Sequence, residues 1–373
     1  MRSLDYDIVI AGAGFAGLAC ARVAARRGLR VLVLDRKPRA GARMHTTGLV
    51  VKEAAERWEI PAALTRRVQG IRLYSPSLAH LDLAAAGYYF LATDTAALMQ
   101  WLAREAQRAG AHLRFARPWT GARRDGDRLV LPGGERTRFL VGADGPRSRI
   151  AAQFHLGRNT QFLLGIEGEF THVDDLAADR LHCFLDGTLA RGYIGWAVPG
   201  YDGVAQIGLA TRAPQRPDLP ALLAKLARVM DLRGARRIAT RAGLIPVGGP
   251  VTPMAAGNVL LIGDAAGLVS PLSAGGIHPA LDSGALAAHA IADHLHEGAA
   301  APALVLARAA PRWRAKRLLR MAFDRGVPDG AFDALLRTRV FTALARSVYF
   351  HHRGLHSLAG WRDLAHTLLR GQP

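Results

Sequence analysis

Cysteine is nearly absent from this chain of 373 residues. Cys20 and Cys183 stand far apart, outside any CxxC or Cys/His spacing, which excludes a disulfide framework and provides no metal site. A reducing cytoplasm is the expected setting. No stretch holds about 18 uninterrupted apolar residues, so no membrane-spanning helix is expected. The amino terminus also lacks the basic stretch and unbroken apolar run of a signal peptide, because its apolar segment from Ile8 is interrupted by Gly12, Gly14 and Gly17. Lysine is scarce as well: of 49 basic residues only Lys37, Lys52, Lys225 and Lys316 are not arginine. Against 30 acidic residues this leaves a net charge of +19, which attracts polyanions. Arginine in place of lysine on an alanine-rich background reads as codon bias, however, and no nucleic-acid partner is expected. The excess is local: residues 308–373 hold 13 basic and four acidic side chains.

What is present is a globular composition. Half of the residues are hydrophobic and 21% are charged, enough for a large core, and the length favours two domains over one. An apolar run over residues 6–11, a glycine-rich turn, an alanine-rich helix ending near Gly28 and a second strand over 30–34 make a βαβ unit. Thr93 and Asp94 can cap a helix through Leu98, Leu102 and Ala106, which Gly110 ends before a strand over 111–116. Hairpin-like segments follow at 128–132 and 138–141. From about 160 to 250, short β-rich runs such as 161–170 and 204–210 are separated by Gly and Pro and predict a mainly antiparallel sheet. A strand over 259–262 then precedes a glycine-rich segment and a helix from about 276 to 294. Beyond Pro302 the segments are helical and basic, interleaved with Trp313, Leu318, Leu319, Phe323, Leu335 and Phe341.

Gly12, Gly14 and Gly17 spell GAGFAG between a strand and a helix start, with Phe15 and Ala16 inside the motif. Glycines there let the backbone approach a pyrophosphate facing the positive end of the helix. Asp35, at the end of the second strand and followed by Arg36, can accept hydrogen bonds from a ribose. The bland alternative is a tight turn in a packed βα unit, and the motif alone does not distinguish NAD from FAD. A second segment does: residues 259–267 place Gly263 and Asp264 after an apolar strand among small residues, where a carboxylate can bind a polyol. An ordinary helix cap is the alternative there. Pro271, Gly275, Gly276 and Ile277 lead into a helix whose amino-terminal NH groups can stabilise negative charge on a reduced flavin ring. Read together, the segments make one site for FAD.

At these motifs the chain resembles the flavoprotein superfamily that includes para-hydroxybenzoate hydroxylase, geranylgeranyl reductases and flavin-dependent halogenases, over most of its length up to about residue 300. The resemblance implies that the motif from Gly12 to Gly17 and Asp35 hold the ADP portion of FAD and that Asp264 holds the ribityl chain, with Arg36 and Arg43 also among the cofactor-binding residues. Asp144-Gly145-Pro146-Arg147-Ser148 is similar to the superfamily's DGxxS segment, associated with FAD and with NAD(P)H. Ala151 stands where that segment has an arginine, and a plain turn is the alternative. Residues 192–200, GYIGWAVPG, followed by Val204 and Gly208, look like the substrate-side motif of geranylgeranyl reductases. This implies that Tyr193, Trp196 and Pro199 line a tunnel for a prenyl chain, which needs a long apolar wall; packing within a sheet core is the alternative. Ile194 stands where halogenases have the first of two tryptophans. Two segments depart from the reductase pattern: residues 43–48, RMHTTG, replace a Pro-Cys-Gly loop, and Ala274-Gly275-Gly276 replaces Gly-Glu-Gly.

The architecture so implied is α/β. A Rossmann-type FAD-binding domain spans 1–70, 91–157 and 251–300, an interleaved, mainly antiparallel β-sheet substrate domain spans 71–90 and 158–250, and a C-terminal helical region spans 301–373. The implied activity is reduction of prenyl C=C bonds, with hydride from reduced FAD reaching one carbon and a proton the other. His45 and His278 are the candidate proton donors or relays, beside the alternative that both are structural. Electrons come from NADPH, NADH or a reduced ferredoxin-like donor. Two other activities fit the same scaffold: a hydroxylating monooxygenase, and a flavin-dependent cyclase with no net redox change. The substrate expected is a hydrophobic, lipid-like small molecule. The basic carboxyl-terminal helices, with their interleaved Trp, Leu and Phe residues, suit peripheral contact with the inner face of a membrane, against a solvated basic face as the alternative. Nothing in the sequence sets an oligomeric state.

Overall fold

Strand Asp5–Ala11 lies at the centre of an eight-stranded sheet, in parallel register with Val31–Leu34 on one side and Arg136–Gly142 on the other. The computed structural model describes residues 5–326 and 328–350, so residues 351–373 of the basic carboxyl-terminal region lie outside the described ones. His112–Arg114 extends the sheet beyond Val31–Leu34, and Val259–Leu261 extends it beyond Arg136–Gly142, both in parallel. Such a sheet is covered on both faces, which is why its strands are apolar runs rather than alternating ones; Ile8, Val9, Ile10, Leu32, Leu140 and Val259 are fully buried. Arg123–Asp125 and Arg128–Val130 add an antiparallel hairpin against Arg136–Gly142.

The helices on this sheet begin where the strands deliver them. Phe15–Arg26 starts after Gly14, and Ile277–Glu297 packs along it. Gly284 permits that approach, since a Cβ there would stand 2.3 Å from the Ala16 carbonyl oxygen. Thr95–Arg108 is capped by Asp94, whose carboxylate accepts the Ala97 amide at 2.9 Å, as the sequence predicts.

The second sheet has seven strands, ordered Arg236–Pro246, Phe162–Thr171, Ala205–Arg212, Gly195–Pro199, Arg180–Phe184, Gly70–Tyr74 and His80–Ala84. All its pairings are antiparallel except that between Arg180–Phe184 and Gly70–Tyr74. A third, three-stranded sheet of Leu49–Val51, Phe90–Thr93 and Thr65–Val68 is not marked by periodicity, because strands of three or four residues are too short to show alternation.

Four helices close the described chain: Pro302–Ala309, Arg314–Asp324, Asp329–Leu336 and Arg339–Phe350. Arg314–Asp324 is turned opposite to the usual pattern. Lys316 and Arg320 are buried, whereas Leu318 and Met321 are 67% and 51% exposed. No helix among the described residues is long and apolar enough to cross a membrane.

Candidate functional site

The first motif is built by backbone contact. Gly12 has φ +108°, and a Cβ there would stand 2.1 Å from the Ala143 carbonyl oxygen, just beyond the parallel strand Arg136–Gly142. Gly17 is equally confined, its Cβ position lying 1.9 Å from the Gly12 carbonyl oxygen. Gly14 differs: nothing lies within 4 Å of a Cβ built on it, and it is exposed at the start of helix Phe15–Arg26. That helix has no side-chain cap and no acidic residue in its first turn, so its amide end is left for an anion. Phe15, Ala16 and Gly17 are buried along it. Asp35 closes one side, with Oδ2 accepting the Ala13 amide at 2.6 Å and Oδ1 the Lys37 amide at 2.7 Å; Arg36 beside it is exposed.

The late motif meets the first directly. A Cβ on Gly263, at φ +54°, would lie 2.8 Å from the Ala16 Cβ, and the Gly263 amide donates to Ser283 Oγ at 3.1 Å. Asp264 follows in a 3-10 turn, Gly263–Ala266, and burial pushes its carboxyl group up to about pH 6. The segment from Pro271 then leads through Gly275 and Gly276 into helix Ile277–Glu297, which like the first has no side-chain cap and no acidic residue in its first turn.

Asp144 connects these parts. Its Oδ2 accepts the Arg149 and Ile150 amides at 2.7 and 3.3 Å, and Ser148 caps helix Arg149–Gln153 through Ala151. The segment is therefore a capped turn, but Asp144 Oδ1 is buried without a hydrogen-bond partner among the described residues. A cleft of about 210 Å³ opens beside it, lined in part by Arg147, Arg158, Asn159 and Ala265. Asn159 ties its walls together, donating to the Pro146 and Asp264 carbonyls at 3.1 and 2.8 Å.

These residues fit FAD. The open space at Gly14 suits a pyrophosphate, the orphaned Asp144 Oδ1 can accept from a donor, and the Asp264 carboxyl can accept from hydroxyl groups such as those of a polyol. A pH dependence follows. Hydroxyl donors favour the ionised carboxylate, so FAD held against Asp264 would lower its pKa and displace its proton wherever the free protein holds one. Affinity is expected to be full above about pH 6 and to fall by up to about tenfold per pH unit below it. Fluorescence titration of apoprotein with FAD across this range checks it, and Asp264→Asn is expected to flatten the profile.

The substrate-side residues form a second cluster. Trp196, Gly208, Glu167 and Arg241 lie in one row across four neighbouring strands. The Trp196 indole lies against Gly208, where a Cβ would be 2.7 Å from its ring, and Nε1 donates to Glu167 Oε2 at 2.8 Å. Thr47 Oγ1 donates to the same oxygen at 2.6 Å, which brings the loop before Gly48 onto the sheet. Arg241 donates to the Thr46 carbonyl at 2.9 Å and pairs with Glu169. Tyr193 packs edge-on to Trp196, and its hydroxyl donates to the Ser273 carbonyl at 2.6 Å. The wall is thus tied to the loop that precedes helix Ile277–Glu297.

Not every candidate gathers here. Pro199 stands on the opposite face of its strand from Trp196, as period two requires, the face on which Ala197 packs with helix Leu219–Leu226. His278 Nε2 lies 3.0 Å from Asp282 one turn on, and Asp282 also meets Arg57. His45 adjoins the wall, its Nδ1 donating to the Ala242 carbonyl at 2.9 Å. Burial lowers its pKa, aided by Lys37 and Arg36, which leaves a neutral ring whose proton is already engaged. Arg43 is exposed at φ +48° at the start of that loop. Glu167, Thr47 and Arg241 carry no motif; the only signal available was a glutamate inside an apolar strand.

Comparison with known proteins identifies the family and the fold. The family model described as FAD binding domain matches residues 5–322. Digeranylgeranylglycerophospholipid reductase 2 of Methanosphaera stadtmanae is 27% identical over 317 residues, 79% of this chain and 80% of that protein. Geranylgeranyl diphosphate reductase of Rhodobacter capsulatus is 29% identical over 326 residues, 82% of this chain and 80% of its own. Among solved structures, a geranylgeranyl bacteriochlorophyll reductase-like protein from Thermoplasma acidophilum superposes with a TM-score of 0.78 at 22% identity, covering 97% of this chain and 99% of the other.

Proposed function

This chain belongs to the FAD-binding domain family, and from that premise we propose that it is an FAD-dependent oxidoreductase that reduces C=C bonds in the prenyl chain of a lipid-like molecule. The observation that carries this reading is the wall of Tyr193 and Trp196 strapped to the loop before helix Ile277–Glu297 through the Tyr193–Ser273 hydrogen bond. An apolar chain against that wall lies beside the uncapped helix end where a reduced flavin ring is stabilised. The relatives' names, reductases of geranylgeranyl lipids and diphosphates, support the same class of substrate. Bound FAD supplies the hydride. The residues of this reading that hold it are Gly12, Gly14, Gly17, Asp35, Asp144 and Asp264.

Reduced protein mixed anaerobically with a geranylgeranyl-bearing lipid is expected to reoxidise while the product gains two hydrogens per bond reduced. Turnover only after oxygen is admitted, with oxygen in the product, would establish the hydroxylase instead. Conversion without loss of reductant would establish the cyclase. The electron donor we favour is NADPH or NADH over a ferredoxin-like protein, because Arg147 and Arg158 line a cleft suited to an anionic nucleotide.

This reading includes docking on an anionic membrane. Leu318 and Met321 project outward from helix Arg314–Asp324 among the exposed Arg314, Arg317 and Arg325, a pairing that favours an acidic lipid surface. Behind them Arg320 donates to the Gly192 carbonyl, next to Tyr193. The protein is expected to float with phosphatidylglycerol vesicles but not with phosphatidylcholine ones. Replacing Leu318 and Met321 by glutamate is expected to abolish flotation; wild-type flotation by that variant would exclude this face.

A further inference from the structure

Reduction of an isolated alkene needs a proton as well as a hydride, and the two histidines of the site are engaged with Ala242 and Asp282. Glu167 is the group that answers the need. It is 4% exposed, on the face of strand Phe162–Thr171 that carries the Trp196 row. Both of its hydrogen-bond donors, Thr47 Oγ1 and Trp196 Nε1, converge on Oε2. Oε1 is buried and has no hydrogen-bond partner among the described residues; the Arg241 guanidinium stands 3.9 Å away.

That asymmetry dictates where a proton sits. An ionised carboxylate would leave one charged oxygen without a hydrogen bond in a buried site, faced only by a guanidinium at 3.9 Å that is shared with Glu169, which is costly. A carboxylic acid with its carbonyl-like oxygen on the two donors carries its proton on Oε1. We propose that Glu167 is the proton donor of the reduction, delivering the Oε1 proton to the alkene carbon that does not receive hydride. This rests on the prenyl-reduction reading.

The step balances. The O–H bond at Oε1 breaks, a C–H bond forms at one alkene carbon, and the other carbon takes the hydride that the reduced cofactor already supplies. The carboxylate left behind is held by Thr47 and Trp196 and faces Arg241, and a proton from water returns to it when the product leaves. Burial holds the Glu167 pKa above the usual carboxylate range, with Glu169 adding to the rise. The Thr47 and Trp196 hydrogen bonds and Arg241 oppose it, and much of the Arg241 charge is taken up by Glu169. Such a balance suits an acid that must both keep and release a proton.

Glu167→Gln keeps the shape of the side chain and removes the proton. It is expected to bind FAD and accept electrons from dithionite as the wild type does, while anaerobic reoxidation by a geranylgeranyl lipid slows by about 10²–10⁴-fold. The wild-type rate is expected to fall as pH rises past the Glu167 pKa, and the Gln variant to show no such step. Glu167→Asp should recover part of the rate. Independently of substrate and cofactor, wild-type apoprotein at neutral pH should show a protonated-carboxyl infrared band that shifts in D₂O and is missing from the Gln variant. A Gln variant that reoxidises within about threefold of the wild type, or the absence of that band, would overturn the assignment. A wild type that reduces no prenyl lipid fails the functional reading itself, which is a separate result. Should the Gln variant fail to fold, the wild-type infrared band and the Asp variant's pH profile decide.

Discussion

Gly12→Ala is expected to prevent stable folding, whereas Gly14→Ala, two residues on, is expected to leave the fold intact and weaken the cofactor site. At Gly12 the φ of +108° is unfavourable to any side chain, and the methyl group would sit 2.1 Å from the Ala143 carbonyl oxygen and 2.6 Å from its carbon. Neither atom belongs to a side chain that can turn away. Relief needs the strand pair Asp5–Ala11 and Arg136–Gly142 to separate at the point where Ala143 donates to the Ala11 carbonyl. Clash and backbone strain together are expected to exceed about 4 kcal/mol, a large part of an ordinary domain's stability. At Gly14 the backbone is extended, with φ −82° and ψ −174°, and no atom lies within 4 Å of the added methyl. Its thermal midpoint should move by less than about 2 °C. The same methyl enters the space left for the pyrophosphate. Loss of one or two charge-assisted hydrogen bonds, about 1.5–3 kcal/mol each, raises the FAD Kd at least about tenfold. Melting of the apoproteins and FAD titration separate the effects. A Gly14→Ala protein that binds FAD normally would remove the helix end from the cofactor site.

The contrast shows which features a sequence displays. The glycine motif, Asp35, the Asp94 cap and Asp264 after an apolar strand are local, each fixed by neighbours within a few residues, and all stand in the structure where their spacing predicts. Glu167 is different. What makes it unusual is the register that sets Trp196, Gly208, Glu167 and Arg241 side by side, and register depends on strand pairs far apart in sequence. Pro199 shows the converse, because it shares a short motif with Trp196 while the pleat sends the two side chains to opposite faces. Helix Arg314–Asp324 is illegible for another reason. Binary patterning puts arginine and lysine outward, yet Arg320 turns inward to the Gly192 carbonyl and Asp324, and Leu318 and Met321 are left outside.

Gly208→Ala carries the second large effect, through that register. Gly208 pairs with Trp196 on one side and Glu167 on the other. An added methyl would lie 2.5 Å from the Ile166 carbonyl oxygen and 2.7 and 2.8 Å from two indole carbons. The indole is the part that can move, and moving it breaks the Nε1 bond to Glu167 Oε2 and displaces the wall from Tyr193. Overpacking of this kind costs about 1–3 kcal/mol, and the Ile166 carbonyl, being backbone, cannot turn aside, so the variant is expected to be clearly less stable than the wild type and its rate is read on folded, FAD-loaded protein. Reoxidation by a prenyl lipid should fall by about 10²-fold or more, since misplacement by an ångström has that effect on a positioned reaction. Trp196→Phe removes the hydrogen bond without adding bulk, and its loss is expected to be smaller. If Glu167 acts through its own proton, Gly208→Ala should cost far less in the Glu167→Gln background than in the wild type. Equal losses in the two backgrounds would mean that the indole shapes the wall without touching the acid.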